Sequence, residues 1–268
     1  MTGAEQRDEQ DTVYVAAAPP KALSGDLLKM VASLLGKDVA DTRLLLAGEL
    51  PRVVAAKADF ATAESTAQGL REAGFVAFVC RDSELRNRAE SFKARTVVSL
   101  ERAVTFRDCH GRELGIETGD AFLIVRGKLR ETAPEEISTT KMKLNVTATV
   151  LTGGIPIMRR VTKKTTRESS QAEDFIAIFD RRSSDPRVVM SRSQMDYAFL
   201  GPALTGSVSA NFEIFVKKLR EWFPLAIFDE RLSGHFKTGV PSEGPGEALE
   251  ISCKLIYLSY LAIERQAR

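Results

Sequence analysis

The 268-residue chain has few of the residue types from which most catalytic and metal sites are built. It contains two histidines, and its three cysteines, Cys80, Cys109 and Cys253, form no CxxC pair. This spacing excludes a zinc ribbon and a thioredoxin-type redox motif. HExxH, DxDxDG, glycine-rich phosphate loops and GxSxG nucleophile turns are also missing. The sequence therefore indicates no metal, no cofactor and no recognisable catalytic motif.

Long apolar runs and a signal-peptide pattern are missing as well. The first eleven residues are polar and include four acidic ones, unlike the basic and apolar regions of a secretory signal. The segment 249–263 is apolar, but Glu250 and Lys254 interrupt it, and it is shorter than the ~20 residues that span a bilayer. Together with scattered cysteines, these features lead us to expect a cytoplasmic protein without a transmembrane segment.

Charge is nearly balanced over the whole chain, with 38 basic and 36 acidic residues. The global composition therefore gives no argument for a nucleic-acid partner, and any electrostatic function must come from local clustering. Apolar residues make up 44%, which is typical of a packed globular protein. The length suits two domains of ordinary size.

Residues 12–81 are predicted to form a small domain with the element order β-α-α-β-α-β. An apolar stripe that begins after Ser24 and ends at Gly36 predicts a capped amphipathic helix. Asp41 is expected to cap a second, shorter helix, and residues 62–73 have the spacing of a third. Short apolar runs predict the three strands at 12–18, 52–56 and 75–80.

Two segments of this domain carry a resemblance to known families. Ala47-Gly48-Glu49-Leu50-Pro51 ends the second predicted helix, and Leu70-Arg71-Glu72-Ala73-Gly74-Phe75 forms a helix-to-strand turn. Over about 60 residues the chain resembles the C-terminal domain of the bacterial ribosomal stalk protein and the related adaptor that docks on the Clp chaperone. The resemblance implies a partner-binding fold. It does not extend to translation-factor docking, because the lysine-rich helix and the hinge of the stalk protein are missing.

A charged linker at 82–92 is followed by a strand-rich region at 93–224. Short apolar or alternating runs are separated there by turns, for example at Gly111 and at Asp185-Pro186. An amphipathic helix, expected to be capped by Asn211, closes the region. About seven strands closed by one helix resemble the order of elements in a pleckstrin-homology-like barrel. The sequence therefore predicts an α+β protein, a small domain followed by such a barrel with C-terminal helices.

The last predicted part, residues 225–268, holds a linker with Gly244-Pro245-Gly246 and a helix at 247–266. The leucines and isoleucines of this helix indicate that it packs on another surface, either within the chain or on a second copy of it. Aromatic residues before this part, at 212, 215, 222 and 223, have helical spacing, which favours core packing over a ligand cage.

Basic residues are concentrated in one predicted hairpin. Residues 144–150 alternate between apolar and polar, Gly153-Gly154 provides a tight reversal, and the return strand covers 155–166. No acidic residue occurs between positions 141 and 167. The candidate binding residues are the seven cations Lys141, Lys143, Arg159, Arg160, Lys163, Lys164 and Arg167. Such a strand pair would attract the phosphates of nucleic acid or of acidic lipid head groups.

The same cations are also compatible with a protective role or with protein docking: lysines can keep a strand edge from pairing, and the surface can dock an acidic protein segment. The sequence favours a non-enzymatic binding or adaptor protein, with an unidentified protein partner or an anionic ligand. One alternative is an enzyme assembled from scattered residues, for which Cys109-His110 and Asp229-Glu230 are the candidates. Another is an oligomeric scaffold that pairs through 247–266.

Overall fold

The computed structural model of the chain describes residues 11–20, 22–87, 90–99, 103–144, 158–232 and 238–267. For residues 99, 130–144 and 158–171 the description covers the backbone alone. The chain divides into two compact units. The main unit comprises Met1–Leu129 and Glu173–Arg268, and the basic unit comprises Arg130–Ala172.

Helices and strands both occur among the described residues, so the protein is α+β. The helices are α1 (Gly25–Leu35), α2 (Val39–Leu45), α3 (Phe60–Glu72), α4 (Asp82–Arg86), α5 (Val208–Trp222) and α6 (Pro245–Gln266). The strands are β1 (Val13–Ala18), β2 (Arg52–Lys57), β3 (Val76–Arg81), β4 (Phe92–Lys93), β5 (Thr96–Ser99), β6 (Ala103–Arg107), β7 (Glu113–Glu117), β8 (Leu123–Leu144), β9 (Met158–Phe179), β10 (Val188–Ser191) and β11 (Ile227–Leu232). None of the described helices is long and apolar enough to cross a membrane.

The N-terminal part of the main unit follows the predicted order of elements, from β1 through α1, α2, β2 and α3 to β3. The strands form an antiparallel sheet in the order β2-β1-β3, and α1 and α3 pack on one of its faces. Ser24 caps α1 as predicted, because its hydroxyl oxygen accepts a hydrogen bond from the Leu27 amide at 3.2 Å. Gly36 ends the helix in the left-handed conformation.

Two predicted helix caps are wrong. Asp38, and not Asp41, caps α2, since its Oδ1 accepts a hydrogen bond from the Asp41 amide at 2.7 Å. Ser207 caps α5, whereas Asn211 lies inside that helix and is buried. Both helices begin about one turn before their first buried residue, with an exposed valine as the first residue. An apolar pattern marks only the packed turns of a helix, so it places the start too late.

The strand-rich part does not close into the predicted barrel. One sheet has the order β11-β8-β9-β10-β4 and another has the order β5-β6-β7. In the first sheet β11 lies parallel to β8 and β4 lies parallel to β10, at opposite edges. The described strands thus leave both edges open, and no closed pleckstrin-homology-like barrel is found among them. The two sheets and α5 share one apolar core.

Helix α6 packs against both halves of the main unit. Ile251, Leu255 and Ala262 pack on the face of the β2-β1-β3 sheet that α1 and α3 leave uncovered. Ile256 and Tyr257 pack instead against residues of β8, β9 and β11. Most of the apolar side chains that suggested pairing with a second copy are therefore buried or partly buried within the chain, and Ile263 is exposed. The domain boundary at 82–92 stays a prediction.

Polar contacts of α6 reinforce this position. The Lys254 side chain is buried, and its ammonium group donates to the carbonyl oxygens of Glu84, at 3.2 Å, and of Asn87. The same ammonium group pairs with the Asp185 carboxylate at 2.8 Å. The helix starts at Pro245, so the Gly244-Pro245-Gly246 segment predicted as linker is the beginning of α6.

The buried position of α6 leads to a stability prediction. Ile256 is 0% exposed, whereas Ile263, two turns later on the same helix, is 42% exposed. We expect Ile256→Ala to lower the free energy of unfolding by about 2–5 kcal/mol, because a cavity is left in a packed core. Ile263→Ala is the matched control and should cost less than about 1 kcal/mol. Urea unfolding followed by tryptophan fluorescence measures both, and equal losses would contradict the buried position of α6.

Candidate functional site

The seven predicted binding residues lie on two neighbouring strands. Lys141 and Lys143 belong to β8, and the five cations from Arg159 to Arg167 belong to β9. For these positions the backbone is described, and the predicted turn at Gly153-Gly154 lies outside the described residues. The structure therefore brings the basic positions onto paired strands within one compact unit.

The basic unit differs in charge from the rest of the chain. Arg130–Ala172 contains eight basic and four acidic residues, which is a net charge of +4. Because the whole chain carries +2, the main unit carries −2. The four acidic residues lie outside the stretch from 141 to 167, at Glu131, Glu135, Glu136 and Glu168. In the sequence, positive charge is thus concentrated at the C-terminal end of β8 and in the N-terminal half of β9.

In the main unit, many arginines are neutralised by carboxylates of the same chain. Arg126 pairs with Glu213 and, at 3.3 Å, with Glu230. Further pairs are Arg71–Glu64, Arg86–Asp82, Arg107–Glu113, Arg112–Asp108, Arg181–Glu264, Arg187–Asp180 and Arg231–Asp229. Internal pairing of this kind leaves little charge to attract an anion.

A charged depression of about 240 Å³ lies where β8, β9 and β11 run side by side. It is lined by Arg126, Gly127, Lys128, Asp174 and Glu230. The Asp174 carboxylate pairs with Arg192, and its second oxygen lies 3.8 Å from the Lys128 ammonium nitrogen without a hydrogen bond. Because cations and carboxylates alternate here, the depression favours neither sign of ligand. No sequence motif marks this cluster, since Arg126 and Glu230 are 104 positions apart.

The Cys109-His110 pair lies in an exposed turn that Asp108 holds in place. The Asp108 carboxylate accepts hydrogen bonds from the His110 amide at 2.8 Å and from the Arg112 amide at 2.9 Å. In the described part of the chain, no hydrogen bond joins the Cys109 thiol to the His110 ring. A nucleophilic dyad needs that bond. The hydrogen bonds to the Asp108 carboxylate therefore account for the shape of this turn.

Asp229 and Glu230 lie in different environments. The Asp229 side chain is fully buried, and it accepts hydrogen bonds from Arg231 Nε at 3.0 Å and from the Tyr260 hydroxyl at 3.2 Å. Burial and the Asp229 charge together raise the pKa of Tyr260. Glu230 is partly exposed and pairs with arginines. Neighbours on a strand such as β11 point to opposite faces, so these carboxylates do not form an acid–base pair in one cleft.

The aromatic residues of α5 belong to the core, as their helical spacing predicts. Phe212 and Phe215 are buried, and the ring centroids of Phe199 and Phe215 are 5.5 Å apart in an edge-to-face arrangement. Trp222 packs on the same cluster. A ligand cage would leave the faces of the rings open around a central space, whereas these rings pack directly against one another.

Comparison with models of protein families, with curated proteins and with solved structures finds no match for this chain. Across the described residues, no group of three or more His, Cys, Asp or Glu side chains is arranged to hold a metal ion. A functional conclusion must therefore come from the charge and geometry of the chain itself.

The cysteine environments lead to a reactivity prediction. Burial raises the pKa of the Cys80 thiol to about 12 and also raises that of Cys253, while Cys109 is exposed. Because the thiolate is the reactive form, we expect one thiol per folded chain to react with Ellman's reagent and three to react in denaturant. His110→Ala should leave the rate at Cys109 and its pH profile unchanged. A shifted profile would support the dyad.

Proposed function

We propose that the protein is a non-enzymatic binding or adaptor protein that contacts a phosphate-bearing partner through the cations of its basic unit. One observation carries the proposal. Seven basic positions, uninterrupted by an acidic residue, lie on two neighbouring strands of a unit with a net charge of +4. Lys and Arg side chains bind phosphates through charge-assisted hydrogen bonds, and Arg does so in a bidentate manner.

The length of the basic stretch favours an extended polyanion over a single small phosphate. At ~3.3 Å per residue, the five cations from Arg159 to Arg167 extend over roughly 26 Å of strand. A polyanion contacts several cations at once and releases counterions from each, so its binding depends steeply on salt. Both a nucleic acid and a surface of acidic lipids present such a row of phosphates.

The proposal does not depend on the pleckstrin-homology-like barrel, which the described strands do not form. It has more support than the enzyme alternative. The Asp229 carboxylate is paired with Arg231, and no base among the described residues forms a hydrogen bond with the Cys109 thiol. It also has more support than a scaffold built through α6, because most apolar side chains of that helix pack within the chain.

A charge-neutralised variant tests the proposal. The variant R159Q/R160Q/K163Q/K164Q removes four cations from β9, and K29Q/K93Q/K217Q/K218Q removes four from the main unit as a matched control. We expect only the first to lose retention on heparin and to bind a labelled 20-nucleotide single strand at least tenfold more weakly at low salt. The slope of log K against log salt should become shallower by about 0.7 for each phosphate contact that is lost.

The choice of probe identifies the partner class. The single-stranded oligonucleotide is compared with vesicles that contain phosphatidylserine, using fluorescence anisotropy and sedimentation respectively. Binding of one probe that depends on the four β9 cations assigns the surface to that class. If both variants bind every probe as the unchanged protein does, the cations are a solvated strand surface and the proposal is wrong.

A further inference from the structure

A second feature lies in the N-terminal part of the main unit, outside the basic unit. A pocket of about 320 Å³ opens between α2, the start of β2 and the segment that precedes α6. It is lined by Lys37, Asp41, Leu44, Leu45, Arg52 and Gly239. This volume is at the lower end of the ~300–1,000 Å³ that is usual for small-molecule sites. The pocket therefore suits a small group rather than a long segment of chain.

Arg52 is the unusual residue of this pocket. It is 9% exposed, and its Nε is buried without a hydrogen-bond partner. Within the described residues, its guanidinium group forms no ion pair, in contrast to Arg126 and Arg231. Burial lowers the pKa of Arg52, and no carboxylate opposes that effect. A buried charge without a partner is unfavourable, so an anion that enters the pocket would be strongly favoured there.

The backbone packs closely around Arg52. A Cβ at Gly48 would lie 3.2 Å from Arg52 Nη2, so the group rests against the bare backbone of the turn before β2. On the other side, the Val53 amide donates to the Thr238 carbonyl at 2.8 Å. Gly239 has φ +77°, and a Cβ there would lie 2.2 Å from the Val53 oxygen, so only glycine allows this approach.

The rest of the lining adds apolar surface and two further charges. Leu44 is 72% exposed at the pocket, although it is a large aliphatic residue, and Leu45 beside it is partly buried. Lys37 adds a second cation, and Asp41 adds one carboxylate. An occupant that complements this lining has one negative charge, an aliphatic group and an N–H donor.

We propose that the pocket binds a carboxylate that neighbours an aliphatic side chain, as in a free aliphatic amino acid or the last residue of a peptide chain. The Arg52 guanidinium group donates hydrogen bonds to the carboxylate, and the positive charge of Lys37 attracts it further. The leucines contact the aliphatic side chain, and Asp41 accepts a hydrogen bond from the amide or ammonium nitrogen. A carboxylate fits better than a phosphate, because the Asp41 charge opposes a second negative charge and the leucines require an apolar substituent.

Four probes test the proposal on the full chain by ligand-observed NMR and thermal shift. They are leucine, N-acetyl-leucine, N-acetyl-leucinamide and inorganic phosphate. Binding of N-acetyl-leucine with at least tenfold weaker binding of its amide supports a carboxylate site, since a charge-assisted hydrogen bond is lost. Preference for leucine over N-acetyl-leucine assigns a free amino acid, and the reverse assigns a chain end. Binding of phosphate alone, or of none of the four, would overturn the proposal.

Variants separate a ligand-binding role of Arg52 from a structural one. R52M should abolish N-acetyl-leucine binding and should keep or raise the melting temperature without ligand, because an unpaired buried charge is removed. R43M, at an exposed arginine of the same helix as the leucines, is the matched control and should bind normally. L44A, at an exposed position, should weaken binding without a change in stability. If R52M does not fold, R52K and L44A decide, and unchanged binding in both would overturn the proposal.

Discussion

Burial of helix α6 on two sides is the constraint on which the main unit depends. Its apolar residues fill the space between the three-stranded N-terminal sheet and the mixed sheet. A helix that is apolar on two sides is stable in water only when both sides are covered. The buried Lys254 adds specificity to this arrangement, because its ammonium group finds acceptors in α4 and in the loop before β10. The N-terminal sheet and the strand-rich part therefore meet through a helix from the end of the chain.

Charged side chains of the main unit also depend on partners from distant parts of the chain. Many arginines pair with nearby carboxylates, and some pair with distant ones, as Arg126 does with Glu213 and Arg181 does with Glu264. Two places depart from that pattern. The stretch from 141 to 167 has no acidic residue in its sequence, and Arg52 is buried without an ion pair among the described residues. An excess of positive charge in one stretch and a buried cation without an ion pair are two features that an anion from outside would neutralise, and the two proposals rest on them.

Local sequence patterns predicted those features whose cause is local. Ser24 caps α1 because a hydroxyl three residues before an amide can reach it, and the stripe that follows is the face that packs on the sheet. The same reasoning failed at Asp41 and Asn211, because the first turn of each helix is exposed and lies before the residues that pack. It failed again for the barrel, because sheet closure depends on which strands pair. The parallel pairing of β11 with β8 joins residues about a hundred positions apart.

The sequence by itself determined the α+β composition, the order of the first six elements and the basic stretch, since each follows from residue type and short-range spacing. Only the tertiary structure decided that α6 packs within the chain, that Asp229 and Glu230 have separate partners, and that Arg52 is buried without an ion pair among the described residues. The physical reason is that burial and pairing are properties of contacts between distant segments. Arg52 is an ordinary strand residue in the sequence, and only the folded chain places it in a pocket beside the close backbone at Gly48 and Gly239.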